Sequence, residues 1–306
     1  MKDLISVKLI PDKEAGEIFT LTGRLKKNPR AYNRALAGKT LALIFQKPSN
    51  RTRVSFEVGM YQLGGHTIYL GPEEINLGVR EAIKDVARTL SRYVDGIVLR
   101  TFAHKNVLEM AAFSQIPVIN GLSDYSHPCQ ALADLYTIKE RFGRLKGVRL
   151  AYVGDGNNVC NSLIYACVKL GLNIRVASPA GYEPDAQVVR EARALAFAKG
   201  SEFCISHDPF KAVSAADVVY TDVWASMGQE KEAKIRARAF KDFQINARLM
   251  KKAGGRALVM HCLPAHRGQE ITDEVLDGAR AIVFDQAENR MHVQKAVLIR
   301  LLGRRA

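Results

Sequence analysis

Long hydrophobic runs are missing from this sequence. Segments such as TLALIF, IPVI and ALVM end well short of the roughly 18 consecutive apolar residues that a membrane-crossing helix needs. Cysteine is sparse and poorly placed for covalent bracing: Cys129, Cys160, Cys167, Cys204 and Cys262 are odd in number, lie apart and form no C-x-x-C pair. A disulfide framework or zinc ribbon is therefore not expected. Repeats, low-complexity tracts and Ser/Gly linkers are also missing, and 47% apolar with 25% charged residues excludes disordered, collagen-like and coiled-coil classes. The opening segment MKDLISVKLIPDKEAG breaks its apolar residues with lysines and a proline, so no secretory core or transit character is expected and the expected location is cytoplasmic. Acidic charge is in deficit, 31 Asp and Glu against 45 Lys and Arg, a net +14. Nucleic-acid binding predicts basic residues clustered on one stripe. Here they are spread, and Lys26-Lys27, Lys251-Lys252 and Arg304-Arg305 read as solvated surface or helix ends. The expectation is a field that draws in small anionic substrates, with no nucleic-acid and no membrane partner.

What is present is an alternation of β-rich runs with helix-period segments, which predicts a parallel α/β fold. Strands are expected at Thr40–Gln46, His66–Leu70, Gly96–Arg100, Pro117–Asn120, Arg149–Gly154, Asn173–Ala177, Asp217–Thr221, Ala257–His261 and Ala281–Asp285. Most are too continuously apolar to have a wet face, so helices must cover both sides. Helices are expected at Arg53–Leu63, Ile83–Tyr93, Pro128–Phe142, Asn161–Leu170 and Asp185–Lys199, four of them followed by glycines that supply the left-handed cap. A domain boundary is expected near Arg141–Gly147, where RFGRLKG ends one long helix and a new strand–loop–helix unit begins.

In open parallel sheets, ligands bind beyond the carboxyl ends of the strands. Polar clusters follow six expected strands: QKPSNRTR, RTF, GLSDYSHPCQ, GDGNN, DVWASMG and HCLPAHRG, which points to one ligand crevice served by both domains. In the first, Arg51 and Arg53 occupy the first turn of a helix begun by Pro48 and Ser49, where the macrodipole already disfavours cations. Free N–H groups, a hydroxyl and a guanidinium there can hold a phosphate without a Walker lysine; two arginines on a solvated face would leave the same pattern. His127 and Gln130 lie three apart across Pro128, placed to grip a carbonyl oxygen together or, more simply, to cap a helix. GDGNN resembles a dinucleotide turn, but Val159 stands where the third glycine belongs and no acidic ribose partner follows NIRVAS. An NAD-dependent oxidoreductase is thus the runner-up, and no cofactor is expected. Asp222, His261, Cys262 and His266 are metal-ligand types. Adjacent residues at a strand end point to opposite sides, so His261 and Cys262 are not expected to share an ion; Cys262 beside Asp222 suits proton handling or amine binding, or a buried structural thiol.

Seven segments, KPSNRTRVSFE, VLRT, HPCQALADL, GDGNN, DVWASMG, HCLPAHRG and AENRMHVQKAVL, together resemble the aspartate/ornithine carbamoyltransferase family in order and spacing over nearly the whole chain. The resemblance implies two doubly wound parallel-sheet domains: a carbamoyl-phosphate-binding domain over 1–143, completed by a C-terminal helix over 288–306 that packs back on it, and an ornithine-binding domain over 144–287. It implies carbamoyl transfer from carbamoyl phosphate to the side-chain amine of L-ornithine, by a homotrimer or an assembly of trimers, with no metal. Carried over by resemblance, Ser49, Asn50, Arg51, Thr52 and Arg100 bind the phosphate, His127 and Gln130 hold the carbamoyl group, and Arg290 closes that site. Cys262 and Leu263 line both substrates, and Asn158, Asp222, Ser226 and Met227 hold the amino acid; Arg51, Arg100, His127 and Cys262 form the catalytic set. Two departures stand out. The family's S-T-R-T-R reads S-N-R-T-R here, and Asn76 occupies a position in INLG that is often glutamine in the loop other members extend into a neighbouring site. The aspartate branch's basic P-L-P-R-type loop is replaced by HCLPAHRG, which leaves ornithine, or the related amines acetylornithine, lysine and putrescine, as acceptors.

Overall fold

The structure is a computed structural model that describes residues 1–226, 228 and 230–303. The chain forms two compact units, one of Met1–Tyr136 with Glu288–Ala306 and one of Thr137–Ala287. Each unit is built on its own parallel sheet. Among the described residues no helix is long and apolar enough to cross a membrane.

In the first unit β1 (Thr40–Phe45), β2 (His66–Leu70), β3 (Gly96–Arg100) and β4 (Val118–Leu122) pair in the order β2-β1-β3-β4. Leu41, Leu43, Ile44, Val98 and Leu99 are fully buried, as expected of strands whose two faces are both covered. The strand β2 lies at the edge and none of its residues is fully buried. At the other edge Leu4 bridges Ile119 in parallel, which draws the N-terminus beside β4. One core cluster joins Ala42, Ile44, Ile97, Leu99, Val107, Met110 and Val118. The helix Val283–Leu302 returns to this unit, where Lys295 Nζ donates to Gln62 Oε1 (2.9 Å) and Arg300 grips Glu14 with two hydrogen bonds of 2.8 and 3.0 Å.

In the second unit β5 (Arg149–Val153), β6 (Asn173–Ala177), β7 (Phe203–Ser206), β8 (Val218–Thr221) and β9 (Leu258–His261) pair in the order β7-β6-β5-β8-β9. The order runs outward from β5 in one direction and from β8 in the other. The β5/β8 junction is therefore the switch point where a ligand crevice opens.

Three expectations are corrected. Ala281–Asp285 is no strand: Ala281 makes a single parallel bridge to Val259, Ile282 N–H donates to the Val259 carbonyl, and a helix begins at Val283. A short apolar run cannot be told from a buried helix start by periodicity alone. The FCIS segment is the strand β7, which sequence reading missed because its residues are only partly buried at a sheet edge. The helix expected from Asn161 begins at Asn158, since the Asn157 side chain caps it by accepting from the N–H groups of Val159 (3.0 Å) and Cys160 (3.1 Å). Other strand and helix ends move by one to three residues, within ordinary fraying.

Candidate functional site

The carboxyl ends of β1, β3 and β4 carry the first unit's cluster. Ser49 caps the helix Asn50–Gln62 by accepting from the Thr52 N–H at 3.2 Å, so the first-turn amides are aimed outward from the sheet. Arg100 ends β3 and is buried. Burial, then Arg290 and Arg51, push its guanidinium down to about 10. Its Nε is enclosed without a hydrogen-bond partner among the described residues, so the group has donor capacity to spare. His127 sits just before the helix Pro128–Phe142 and is buried.

Arg290, from the returning helix, ties these elements together. It donates to Gln130 Oε1, to Thr52 Oγ1 (3.3 Å) and to His127 Nε2 (3.4 Å). An imidazole nitrogen that accepts from a guanidinium carries no proton. Burial, reinforced by Arg290, Arg100 and Arg51, also holds His127 well below the ordinary histidine value. The imidazole is therefore neutral and carries its proton on Nδ1. Gln130 Nε2 donates to Asp134 Oδ1 at 2.7 Å, which fixes the amide with its oxygen toward Arg290.

Three guanidiniums and a neutral ring around one spot form a receptor for a compact anion that also presents a carbonyl. Arg53 stands apart from them, bonded to Glu57 (2.9 Å) and lying 3.7 Å over the Tyr69 ring. Asn50 is exposed at the helix start, and Asn76 is exposed on the loop after β2, in a left-handed conformation (φ 39°) that closes the short helix Pro72–Ile75.

In the second unit the ends of β5, β8 and β9 supply the other cluster. Asp222, after β8, accepts from Cys262 Sγ (2.9 Å), the Val223 N–H (2.8 Å) and Asn157 Nδ2 (2.8 Å). A carboxylate has about four lone-pair directions, so one remains for a further donor. Asn157, one residue before the expected Asn158, is the residue that sequence reading missed; its signal was an asparagine preceding a helix whose first amides need an acceptor.

The turn after β5 is shaped by Gly156, whose N–H donates to the Tyr182 carbonyl at 2.9 Å. A Cβ there would lie 2.2 Å from backbone atoms of Glu183 and Pro184. The second glycine of GDGNN is thus required by chain packing, and no pyrophosphate need be invoked for it. Tyr152 supports the same turn by donating to the Asp155 carbonyl at 2.8 Å.

The Cys262 thiol is set by a buried relay behind it. Leu263, with φ 57°, donates its N–H to His261 Nδ1 at 2.9 Å, and His261 Nε2 faces Glu270 Oε1 at 3.2 Å. The expectation that His261 and Cys262 point apart is corrected: ligand atoms of Asp222, His261 and Cys262 all lie within 4.8 Å of one another. The strand β9 ends at His261, so the alternation of strand side chains does not extend to Cys262. A metal is still disfavoured there, because Leu263 and Glu270 occupy both imidazole nitrogens. Ser226 is partly buried on the loop after β8, and Met227 lies outside the described residues.

Comparison with known proteins finds two family domains along the chain, the second of which runs on into the C-terminal helix that clusters with the first unit. Residues 2–140 match the carbamoyl-P binding domain, and residues 146–301 the Asp/Orn binding domain, of the aspartate/ornithine carbamoyltransferases. The chain is 58% identical over 290 residues to a Pyrococcus horikoshii protein named ornithine carbamoyltransferase, covering 95% of this chain and 90% of that one. It is 57% identical over 290 residues to one from Pyrococcus furiosus named ornithine carbamoyltransferase, anabolic, covering 95% and 91%. A solved structure of the Pyrococcus furiosus ornithine carbamoyltransferase superposes with a TM-score of 0.96 at 52% identity, covering 98% of this chain and 97% of that one.

The His127 assignment has a direct check. A histidine whose folded value is depressed contributes stability that is complete above the ordinary 6.5 and is lost as pH falls below it. The His127 imidazole should give the neutral NMR signature throughout about pH 5.5–8. A titration centred near the ordinary value, absent from His127→Gln, would refute it.

Proposed function

Because the chain belongs to the aspartate/ornithine carbamoyltransferase family, we propose that it transfers the carbamoyl group of carbamoyl phosphate to the side-chain amine of L-ornithine, giving L-citrulline and phosphate. The direction is the biosynthetic one that the name of the Pyrococcus furiosus relative carries. The observation that carries this reading is the sorting of charge between the two units: Arg51, Arg100, Arg290 and a neutral histidine in the first, whose residues 2–140 match the carbamoyl-P domain, and a carboxylate–thiol pair in the second, within the match to the Asp/Orn domain.

Ser49, Asn50, Arg51 and Thr52 present helix N-terminal donors to the phosphate, and Arg100 and Arg290 neutralise it. Asn76 is assigned to the same substrate. His127 and Gln130 orient the carbamoyl group. Asp222 has one lone-pair direction left for the α-ammonium of ornithine, with Asn158, Ser226 and Met227 beside it. Cys262 and Leu263 flank the attacking amine and the carbamoyl group.

A primary alkylammonium with pKa near 10.4 is only about 0.04% neutral at pH 7, so presenting the free amine costs about 4–5 kcal/mol unless the site shifts that value. Once neutral, the amine nitrogen attacks the carbamoyl carbon and the bond from carbon to the phosphate oxygen breaks. The departing phosphate takes the surplus proton. Negative charge grows on phosphate oxygens faced by Arg51, Arg100 and Arg290, which is where fixed cations lower a barrier most.

The assembly we assign is a homotrimer, or an assembly of trimers, in the cytoplasm. Exposed Val54 and Tyr61 on the Asn50–Gln62 helix and Ile68 on the edge strand β2 support a subunit contact on that face. Light scattering should give an integral multiple of three 33.9 kDa chains; a monomer would exclude it.

The acceptor is tested by product formation from carbamoyl phosphate with ornithine, acetylornithine, lysine, putrescine and aspartate in parallel. Citrulline alone should form, about tenfold faster per pH unit at subsaturating ornithine while the amine remains mostly protonated. A different preferred amine would overturn the acceptor, and no product at all would overturn the reaction. Arg51→Ala should lower kcat/KM by about a thousandfold with the melting temperature unchanged, and a loss under tenfold would place Arg51 outside the site.

A further inference from the structure

Behind the second unit's cluster lies a buried ion pair that the transfer reaction does not use. Arg236, on the helix Ala233–Ala239, is 7% exposed, and Asp155, in the GDGNN turn after β5, is 6% exposed. Arg236 Nη1 lies 3.1 Å from Asp155 Oδ1 and donates to the Trp224 carbonyl at 2.9 Å, while its Nε donates to Glu232 Oε2 at 2.9 Å. The guanidinium also faces the Tyr182 ring at 5.0 Å, beside the segment against which Gly156 packs.

One side chain thus fastens two separate loops at the β5/β8 switch point. Asp155 stands two residues before Asn157, the partner of Asp222, and Trp224 stands midway between Asp222 and Ser226. Trp224 is itself anchored by stacking on Phe240 with ring centroids 5.7 Å apart. Burial pushes the Asp155 carboxyl up to about 6 even with the guanidinium against it, so desolvation is a heavy charge on this pair. Buried ion pairs contribute little net stability for that reason. What a rigid guanidinium fork does supply is direction, since its N–H vectors are fixed in one plane.

We propose that Arg236, clamped to Asp155, is a positioning residue for the amino-acid acceptor: it sets the spacing of the turn after β5 and the loop after β8, and so the placement of Asn158, Asp222 and Ser226. The inference rests on ornithine being held by this second unit. It acts through those residues and touches no reacting atom.

The test is steady-state kinetics of Arg236→Gln, Arg236→Lys and Asp155→Asn, each substrate varied in turn with the other saturating. The KM for ornithine should rise at least tenfold in Arg236→Gln and less in Arg236→Lys, which keeps the charge but loses the fork. Asp155→Asn should move it in the same direction. In all three, the KM for carbamoyl phosphate should stay within twofold, because its cluster belongs to the other unit. A merely structural role would change both constants together or lower active-site concentration without moving either, and either result overturns the proposal. If Arg236→Gln does not fold, the near-isosteric Asp155→Asn carries the test by the same criterion. Wild-type enzyme that makes no citrulline would sink the functional reading instead, whereas active wild type with unaltered variants sinks only the clamp.

Discussion

Like charges repel most strongly where water cannot screen them, and the first unit gathers Arg51, Arg100 and Arg290 close enough that each depresses the protonation of His127. Hydrogen bonds to Gln130 Oε1, Thr52 Oγ1 and His127 Nε2 direct the Arg290 guanidinium to that place. Much else in that unit follows. The histidine must be neutral, Gln130 must turn its oxygen toward Arg290 and its nitrogen to Asp134, and the Asn50–Gln62 helix must present its N-terminus at the same place. An anion with several oxygens is the species that relieves this arrangement.

The second unit works by the opposite device. Its buried charges Asp155, Arg236, Asp222 and Glu270 all make hydrogen bonds or ion pairs that hold neighbouring backbone in place. Asp222 collects three donors from three segments, Gly156 lets two segments approach to a distance no side chain permits, and His261, buried against Glu270, accepts from the Leu263 N–H on the other side of Cys262. The contrast suits the two proposed substrates: a polyanion needs clustered cations, whereas an amine that must become neutral needs acceptors.

Much of this was legible beforehand because it is written locally. Continuous apolar runs mark strands covered on both faces, glycines mark helix ends, and Pro128 with the residues around it marks a helix start. The pairing of Asp222 with Cys262 was readable because both follow strands whose carboxyl ends must share one edge of a parallel sheet. Other features carried no local mark. The cap Asn157 went unread because the helix was expected to begin only at Asn161, and Glu270 and Arg236 look like any charged residue on a polar stretch until the fold buries them.

The sequence by itself thus determined the parallel α/β class, the family and most of the polar residues at the strand ends, since those depend on periodicity and on residue type at fixed spacing. Only the tertiary structure decided the protonation of His127, the orientation of Gln130, the meeting of His261 with Cys262 and the clamp between Asp155 and Arg236. The first two depend on Arg290, which lies 163 positions from His127 and 160 from Gln130 along the chain. Desolvation and hydrogen-bond direction act through space, and neither is set by neighbours in sequence.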